Sequence, residues 1–387
     1  MTTSRRTFLA AAAAAGAAMP AALSRIAHGR GHEPSAADQT ASAQRPHGGV
    51  HSVLARDHPY TFIDTCMQIW PDADLANAHR HGVTAYAVTA WNPNAGLESA
   101  LEGLMYWHLM ARKHPNLVIA HKTEDMRKAK RDGKAALILA AQDGDWIGLQ
   151  LHRVEAFQRL GLRMMLLAYS RTNQLADGCL DRTNGGLSRF GQLVVDECNR
   201  VGIVLDGSHM GKKSTLEMIE RSRHPCVFSH SNPSAVVPNP RNIDDEHIKA
   251  CAARGGVVGL VAWGPLVMRP DRLHWPTVDE YIDLIDYVAQ KLGSTDHIGV
   301  STDMSIGTYP DHERDPWGMP AYPVTSELYD RHVTSDIRSP RRSLDGFSDY
   351  AEVVRLIDRL SARGYKDEHI GKFLGGNFLR VFDQVWQ

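Results

Sequence analysis

The chain has 387 residues, 43% of them hydrophobic, and its 43 basic and 44 acidic side chains leave a formal net charge of -1. That length allows one large domain or two ordinary ones, and that apolar content supports a sizeable core. A charge so near zero argues against nucleic-acid binding, which normally needs a basic face.

The N-terminus reads as a targeting segment. Ser4-Arg5-Arg6-Thr7-Phe8-Leu9 is a twin-arginine pattern, and an alanine-rich run follows from Phe8 to about Ala18. The run is too short to span a bilayer, which takes ~20 apolar residues. Paired arginines, a short apolar run and later small residues, in that order, predict export by the twin-arginine machinery to the periplasm or the exterior. Cleavage points are expected near Ala27-His28-Gly29 or Ala41-Ser42-Ala43. We therefore expect a signal and disordered leader over 1–43, a polar linker over 44–59, and one domain over 60–387. Five cysteines (Cys66, Cys179, Cys198, Cys226 and Cys251) form no CxxC pair, which excludes zinc-finger and thioredoxin-like readings.

From Tyr60 onward, short apolar runs alternate with helical patterns. The runs are Thr61–Cys66, Ala85–Ala90, Ala135–Ala141, Met164–Ala168, Ile203–Gly207, Cys226–Ser229, Val257–Leu260 and His297–Ser301. Continuous apolar runs of this length suit parallel strands buried on both faces. Leu187–Arg200 and Val278–Lys291 carry helical spacing between them. Eight such repeats predict an α/β fold, a closed (β/α)8 TIM barrel. A doubly wound open sheet is the rival, but Asp64-Thr65-Cys66-Met67-Gln68 lacks the glycine-rich turn that fold carries after its first strand. Tyr309–Arg342, rich in Pro, Asp, Arg and aromatics, is expected as a long loop over the barrel mouth, and Tyr350–Gln387 as two closing helices.

Active sites of such barrels lie at the C-terminal ends of the strands. Gln142-Asp143-Gly144-Asp145 follows the third run, Tyr169 the fourth, His209 the fifth, His230 the sixth and Asp303 the eighth. Two histidines and an aspartate at strand ends suit a divalent ion such as zinc and leave a position open for water. Water on such an ion becomes a nucleophile near neutral pH. The plainer reading of each histidine is a hydrogen-bonded structural residue.

Several motifs now carry a resemblance. Asn173-Gln174-Leu175-Ala176-Asp177-Gly178-Cys179, Gly186-Leu187-Ser188-Arg189-Phe190-Gly191, Leu205-Asp206-Gly207-Ser208-His209, Phe228-Ser229-His230-Ser231-Asn232, Pro240-Arg241-Asn242 and Gly375-Gly376-Asn377-Phe378-Leu379-Arg380 occur in this order. The stretch from about Thr61 to the end resembles the renal (membrane) dipeptidase family. The resemblance implies a (β/α)8 barrel of the amidohydrolase superfamily, of the metal-dependent hydrolase type, that cleaves dipeptides with two bridged zinc ions and is often a homodimer. It implies that His209 and His230 hold the second metal and that Asp303 is a ligand and proton shuttle. It also implies that Arg241 binds substrate, where a guanidinium can grip both oxygens of a free carboxylate.

Three positions depart from the family pattern. Its His-x-Asp at the end of strand one is here Cys66 and Gln68; its bridging Glu is Gln142; its histidine after strand four is Tyr169. Fewer carboxylates are left to hold two mutually repelling dications. Cys66 can still bind zinc as a thiolate, and Tyr169 can donate to a developing oxyanion. The sequence thus predicts an exported hydrolase of a dipeptide or small amide with one zinc rather than two. His209, His230 and either Gln142 or Asp303 would hold that zinc. Tyr169 and Arg241 are candidate substrate contacts; Asp303 and Tyr169 are candidate catalytic groups. Two alternatives stay open: the pocket turned to isomerisation or tailoring of a peptide-derived metabolite, and a barrel kept for binding alone.

Overall fold

The computed structural model describes residues 60–69, 73, 81–272, 274–307 and 343–386. The expected leader (1–43), linker (44–59) and long loop (309–342) lie outside the described residues. All strand pairing in the main sheet is parallel. The strands are β1 (Phe62–Ile69), β2 (Val83–Thr89), β3 (Leu117–Ile119), β4 (Ala135–Ala141), β5 (Leu162–Leu166), β6 (Val204–Asp206), β7 (Val227–Phe228), β8 (Val257–Val261), β9 (Ile298–Ser301) and β10 (Met304–Ile306). Their order is β10-β1-β2-β4-β5-β6-β7-β8-β9.

The ring closes through a broken last strand. β9 pairs with β8, and β10 pairs with β1 through Met67↔Met304. Only Thr302 and Asp303 separate the two halves, so β9 and β10 act as one staved strand. Each of the eight sequence runs overlaps a barrel strand, and the (β/α)8 architecture follows. Two short elements, β3 and β10, escape the sequence pattern. β3 pairs with Ala135–Leu137, the stretch of that β4 edge which β5 leaves uncovered.

Burial splits each strand into two faces. Ala136, Ile138 and Ala140 of β4 join an inner cluster with Ala85, Ala87, Met164 and Val227. Ala135, Leu137, Leu139 and Ala141 join the larger cluster that packs the surrounding helices. Small inner residues leave room for the C-terminal helix Asn377–Val385 to close the barrel bottom. Asn377 donates to the carbonyls of Thr295 and Ile298, and Arg380 to those of Gly255 and Asp296, all at N-terminal strand ends. The Phe378 ring lies over Gly259 and Gly299, which are register partners in β8 and β9. A Cβ at Gly299 would stand 2.1 Å from that ring, so neither strand can carry a side chain there. With its bottom sealed, the barrel keeps its opposite, C-terminal end for chemistry.

The expected helices form within a residue or two. Ser188 caps Arg189–Val201 by accepting from Gly191 N, and Thr277 with Glu280 makes a capping box at Val278–Leu292. The chain end holds three helical pieces rather than two: Val353–Ala362, Asp367–Gly371 and Asn377–Val385, the last two joined by a π-turn at Lys372–Gly376. Among the described residues no helix is long and apolar enough to cross a membrane.

Candidate metal and substrate site

Backbone strain marks the mouth. Among the described residues, four non-glycine residues have positive φ: Asn94, Ser170, His209 and Asp303. Each follows a barrel strand within a few residues, at its C-terminal end. Such conformations cost ~1–3 kcal/mol each and persist where the surroundings impose them, commonly at functional sites. His209 (φ 64) is held by Ser170 N and Cys179 N, which donate to its carbonyl at 3.2 and 2.9 Å. Asp303 (φ 49) sits in the break between β9 and β10, its N–H donating to Cys66 O at 2.8 Å.

Two groups form at the mouth. In the first, His209 Nε2 and His230 Nε2 stand 2.9 Å apart, and both rings are buried. Ser170 Oγ lies 2.7 Å from His209 Nδ1, and Ser229 Oγ lies 2.5 Å from His230 Nδ1. Ser229 also hydrogen-bonds the buried carboxylate of Asp206. A hydroxyl has one proton. Given to Asp206, it leaves Ser229 to accept from His230 Nδ1–H, so His230 Nε2 carries the lone pair. At 2.9 Å one of the facing nitrogens must donate, which makes His209 Nε2 the donor and turns its Nδ1 to accept from Ser170. The order of the chain is therefore Ser170, His209, His230, Ser229, Asp206. The Tyr169 ring stacks on His209 with centroids 3.9 Å apart, fixing the imidazole plane.

The second group gathers the departures from the family pattern. Gln142 Nε2 donates to Cys66 Sγ at 3.3 Å, Gln68 Nε2 to Asp303 Oδ1 at 3.0 Å, and Cys66 Sγ lies 3.6 Å from the same carboxylate oxygen. Burial, then the carboxylates of Asp303, Asp64 and Asp206, push the Cys66 thiol well up. Cys66 is therefore held as a neutral thiol, which weakens its case as a thiolate ligand. Among the described residues no three His, Cys, Asp or Glu side chains come together as a metal cluster. The structure thus joins His209 to His230, and Cys66 to Gln142 and Asp303, in separate hydrogen-bonded sets.

Arg241 completes the site. It is 2% exposed, and its guanidinium donates to Ser231 Oγ at 3.0 Å and to His230 O at 2.9 Å. Among the described residues no carboxylate forms an ion pair with it. Arg241 and His209 both line a cavity of about 370 Å³, with Cys179, Lys212 and Asn242 also on its wall. Sequence reasoning missed Ser170, Asp206 and Ser229. Asp206 and Ser229 stand inside quoted motifs, but their bonds cross between strands and leave no spacing to read.

Burial, then Arg241 and His230, hold His209 well below the usual imidazole range; burial, then Arg241, does the same to His230. Linkage sets the direction of the pH effect. The unfolded chain protonates these histidines as pH falls through about 6.5, and the folded, metal-free protein resists. Stability is therefore lost below about pH 6.5, by about 1.4 kcal/mol per pH unit for each proton refused. Asp64, pushed up to about 6 by burial, and Asp143, pushed up to about 7 by burial and Asp145, act in the opposite sense. The histidine part is the difference in urea stability between wild type and His209→Gln/His230→Gln. That difference, wild type minus variant, should fall steadily as the pH is lowered; a flat difference contradicts a neutral imidazole pair.

The chain is similar to known proteins. The membrane dipeptidase family (peptidase family M19) matches residues 68–340 and 332–387. The dipeptidase tcpJ of Claviceps purpurea is 26% identical over 269 residues, covering 69% of this chain and 55% of that protein. This chain thus spans little more than half the length of that relative. An amidohydrolase from Pseudomonas aeruginosa has a TM-score of 0.75 and 30% identity, over 86% of this chain and 98% of the other. A metallo peptidase from Rhodobacter sphaeroides, solved with a phosphinate mimic of the dipeptide L-Ala-D-Ala, shares the fold at a TM-score of 0.68 and 19% identity, over 84% of this chain and 99% of the other. The family match runs from β1 to the closing helix, and on that ground the chain belongs to the membrane dipeptidase family, peptidase family M19.

Proposed function

We propose that this protein is an exported hydrolase that cleaves a dipeptide, or a small amide with a free carboxylate, using one divalent metal ion on His209 and His230. The observation that carries the reading is Arg241. A guanidinium this buried, with no carboxylate partner among the described residues, leaves an uncompensated charge that an incoming anion would satisfy. Two of its N–H groups are already bonded, so its plane is fixed before the ligand arrives.

The donor atoms fit one ion. Two imidazole nitrogens about 2.0–2.1 Å from a tetrahedral zinc stand about 3.3 Å apart. The observed 2.9 Å is close to that span, so His209 and His230 would hold an ion after a small rotation and loss of the shared proton. Serine hydroxyls on both Nδ1 atoms supply the outer hydrogen bonds such ligands use. Gln142 gives its amide N–H to Cys66, which leaves its carbonyl oxygen as the donor toward a cation. A thiol and two carboxamides beside Asp303 are a poor seat for a second dication. A bound ion supplies Lewis acidity and a water made acidic enough to react near neutral pH.

The chain's own residues do the rest. Arg241 grips the carboxylate and so sets the distance of the scissile amide from the histidine pair. Asp303, oriented by Gln68, accepts the proton of the attacking water and returns it to the departing amine as the C–N bond breaks. Tyr169 stacks on His209 and holds its ring in plane, and it is the candidate substrate contact on that side of the histidine pair. The neutral Cys66–Gln142 pair favours a second reading, in which ordinary dipeptides turn over slowly and the true substrate is another peptide-derived amide.

Arg241→Ala should weaken binding of a carboxylate-bearing dipeptide by about 1.5–3 kcal/mol, the scale of hydrogen bonds to charged groups. The matching dipeptide amide should lose far less. Calorimetric titration with a panel of both measures this, and equal losses for acid and amide contradict the carboxylate grip. Export rests on Arg5 and Arg6 ahead of the short apolar run. With both replaced by Lys, the protein should remain in the cytoplasmic fraction; undiminished export removes that part of the proposal.

A further inference from the structure

The helix Asp245–Ala253 starts four residues after Arg241 and carries a histidine in its first turn. Asp244 is the N-cap, and His247 is the third helical residue. The Asp244 carboxylate accepts from Glu246 N and His247 N, both at 3.1 Å, and pairs with Lys212 at 2.6 Å. A carboxylate held by these donors is ionised and can only accept. His247 Nδ1, 2.9 Å from Asp244 Oδ1, therefore donates to it. Its 3.4 Å contact with Asp244 N is the weaker of the two.

That leaves one ring nitrogen to account for. Burial holds His247 below the usual imidazole range, so with Nδ1 protonated its Nε2 carries a lone pair. His247 is 6% exposed, and its Nε2 is buried with no hydrogen-bond partner among the described residues. The Phe228 ring packs edge-on against the imidazole, with centroids 5.8 Å apart. A buried acceptor left unpaired costs ~1–3 kcal/mol, and native structures leave few of them. Capping alone does not call for histidine, because Gln or Glu serves at this position. What histidine adds is the second nitrogen.

His247 lines the same cavity as Arg241 and His209. With Nδ1 turned to the helix cap, Nε2 is the polar atom it can present there. The charged side chains on that wall are Arg182, Lys212 and Arg241 against Asp181 and Asp244, which leaves positive charge in excess. Such a wall disfavours an ammonium and accepts a neutral donor. We propose that His247 Nε2 forms a specificity subsite, accepting a hydrogen bond from a hydroxyl or carboxamide on the substrate residue whose carboxylate Arg241 grips. The subsite rests on the carboxylate grip proposed for Arg241. It selects a dipeptide, or small amide, whose carboxylate-bearing residue is polar and uncharged. Apolar residues of the same shape leave Nε2 unpaired and bind less well.

The test is calorimetric titration of the full chain with N-acetylthreonine and N-acetylvaline, each in both enantiomers. The two probes share a carboxylate and a shape and differ by a hydroxyl in place of a methyl. Wild type should bind one enantiomer of the threonine probe about fivefold more tightly than its valine counterpart, the scale of one neutral hydrogen bond. His247→Leu should bring the two probes level. His247→Gln, which keeps an acceptor for the N-cap N–H, should do the same and covers a Leu variant that fails to fold. Arg241→Ala should weaken both probes alike and leave their ratio standing. Equal binding of the two probes by wild type overturns the subsite alone, and means that Nε2 meets an ordered water only. A preference that survives both His247 variants also overturns it. A wild type that binds neither probe overturns the subsite and contradicts the carboxylate grip as well.

Discussion

Two buried imidazole nitrogens face each other across 2.9 Å, and most of the mouth is arranged to keep them so. The barrel sets β6 beside β7, which brings the residues after each strand to one place. His209 reaches its position only by entering left-handed backbone, and two N–H donors on its carbonyl hold it there. Ser170 and Ser229 then decide which nitrogen of each ring carries a proton, with the buried Asp206 fixing the sense of the chain. Arg241 donates to His230 O and to Ser231, so the group that would read a carboxylate is anchored on the residue that would hold the ion. Binding and chemistry therefore share one frame, and a shift in either histidine displaces both.

Charge decides what this frame can hold. Two dications ~4 Å apart repel by about 16 kcal/mol at an effective dielectric of 20, four times the value for two unit charges because each charge is doubled. A two-metal site offsets that with bridging and terminal carboxylates. Here Gln68 and Gln142 stand in carboxylate places and Cys66 in a histidine's, and Asp303 is the carboxylate that remains among them. Gln142 donates to the thiol and Gln68 to Asp303, so these side chains partner one another by hydrogen bonds. That arrangement separates this chain from the dinuclear pattern while leaving the histidine half intact.

The barrel was legible because its strands are continuous apolar runs buried on both faces, as Ala135–Ala141 shows with every residue buried. β3 and β10 were not, since each is a short segment that becomes a strand by pairing along one neighbour's edge. The site was legible where a residue type announces itself: His209, His230, Arg241 and Asp303 all stand at the mouth. Ser170, Asp206 and Ser229 are ordinary residues whose role comes from atoms brought together across strands.

A one-metal site is decided by how many divalent ions the mouth binds. Elemental analysis of full-length protein purified without chelator should give one equivalent of zinc. The ion should be lost from His209→Ala and from His230→Ala and retained by Cys66→Ala. Two equivalents in the wild type, or loss of metal from Cys66→Ala alone, would contradict it.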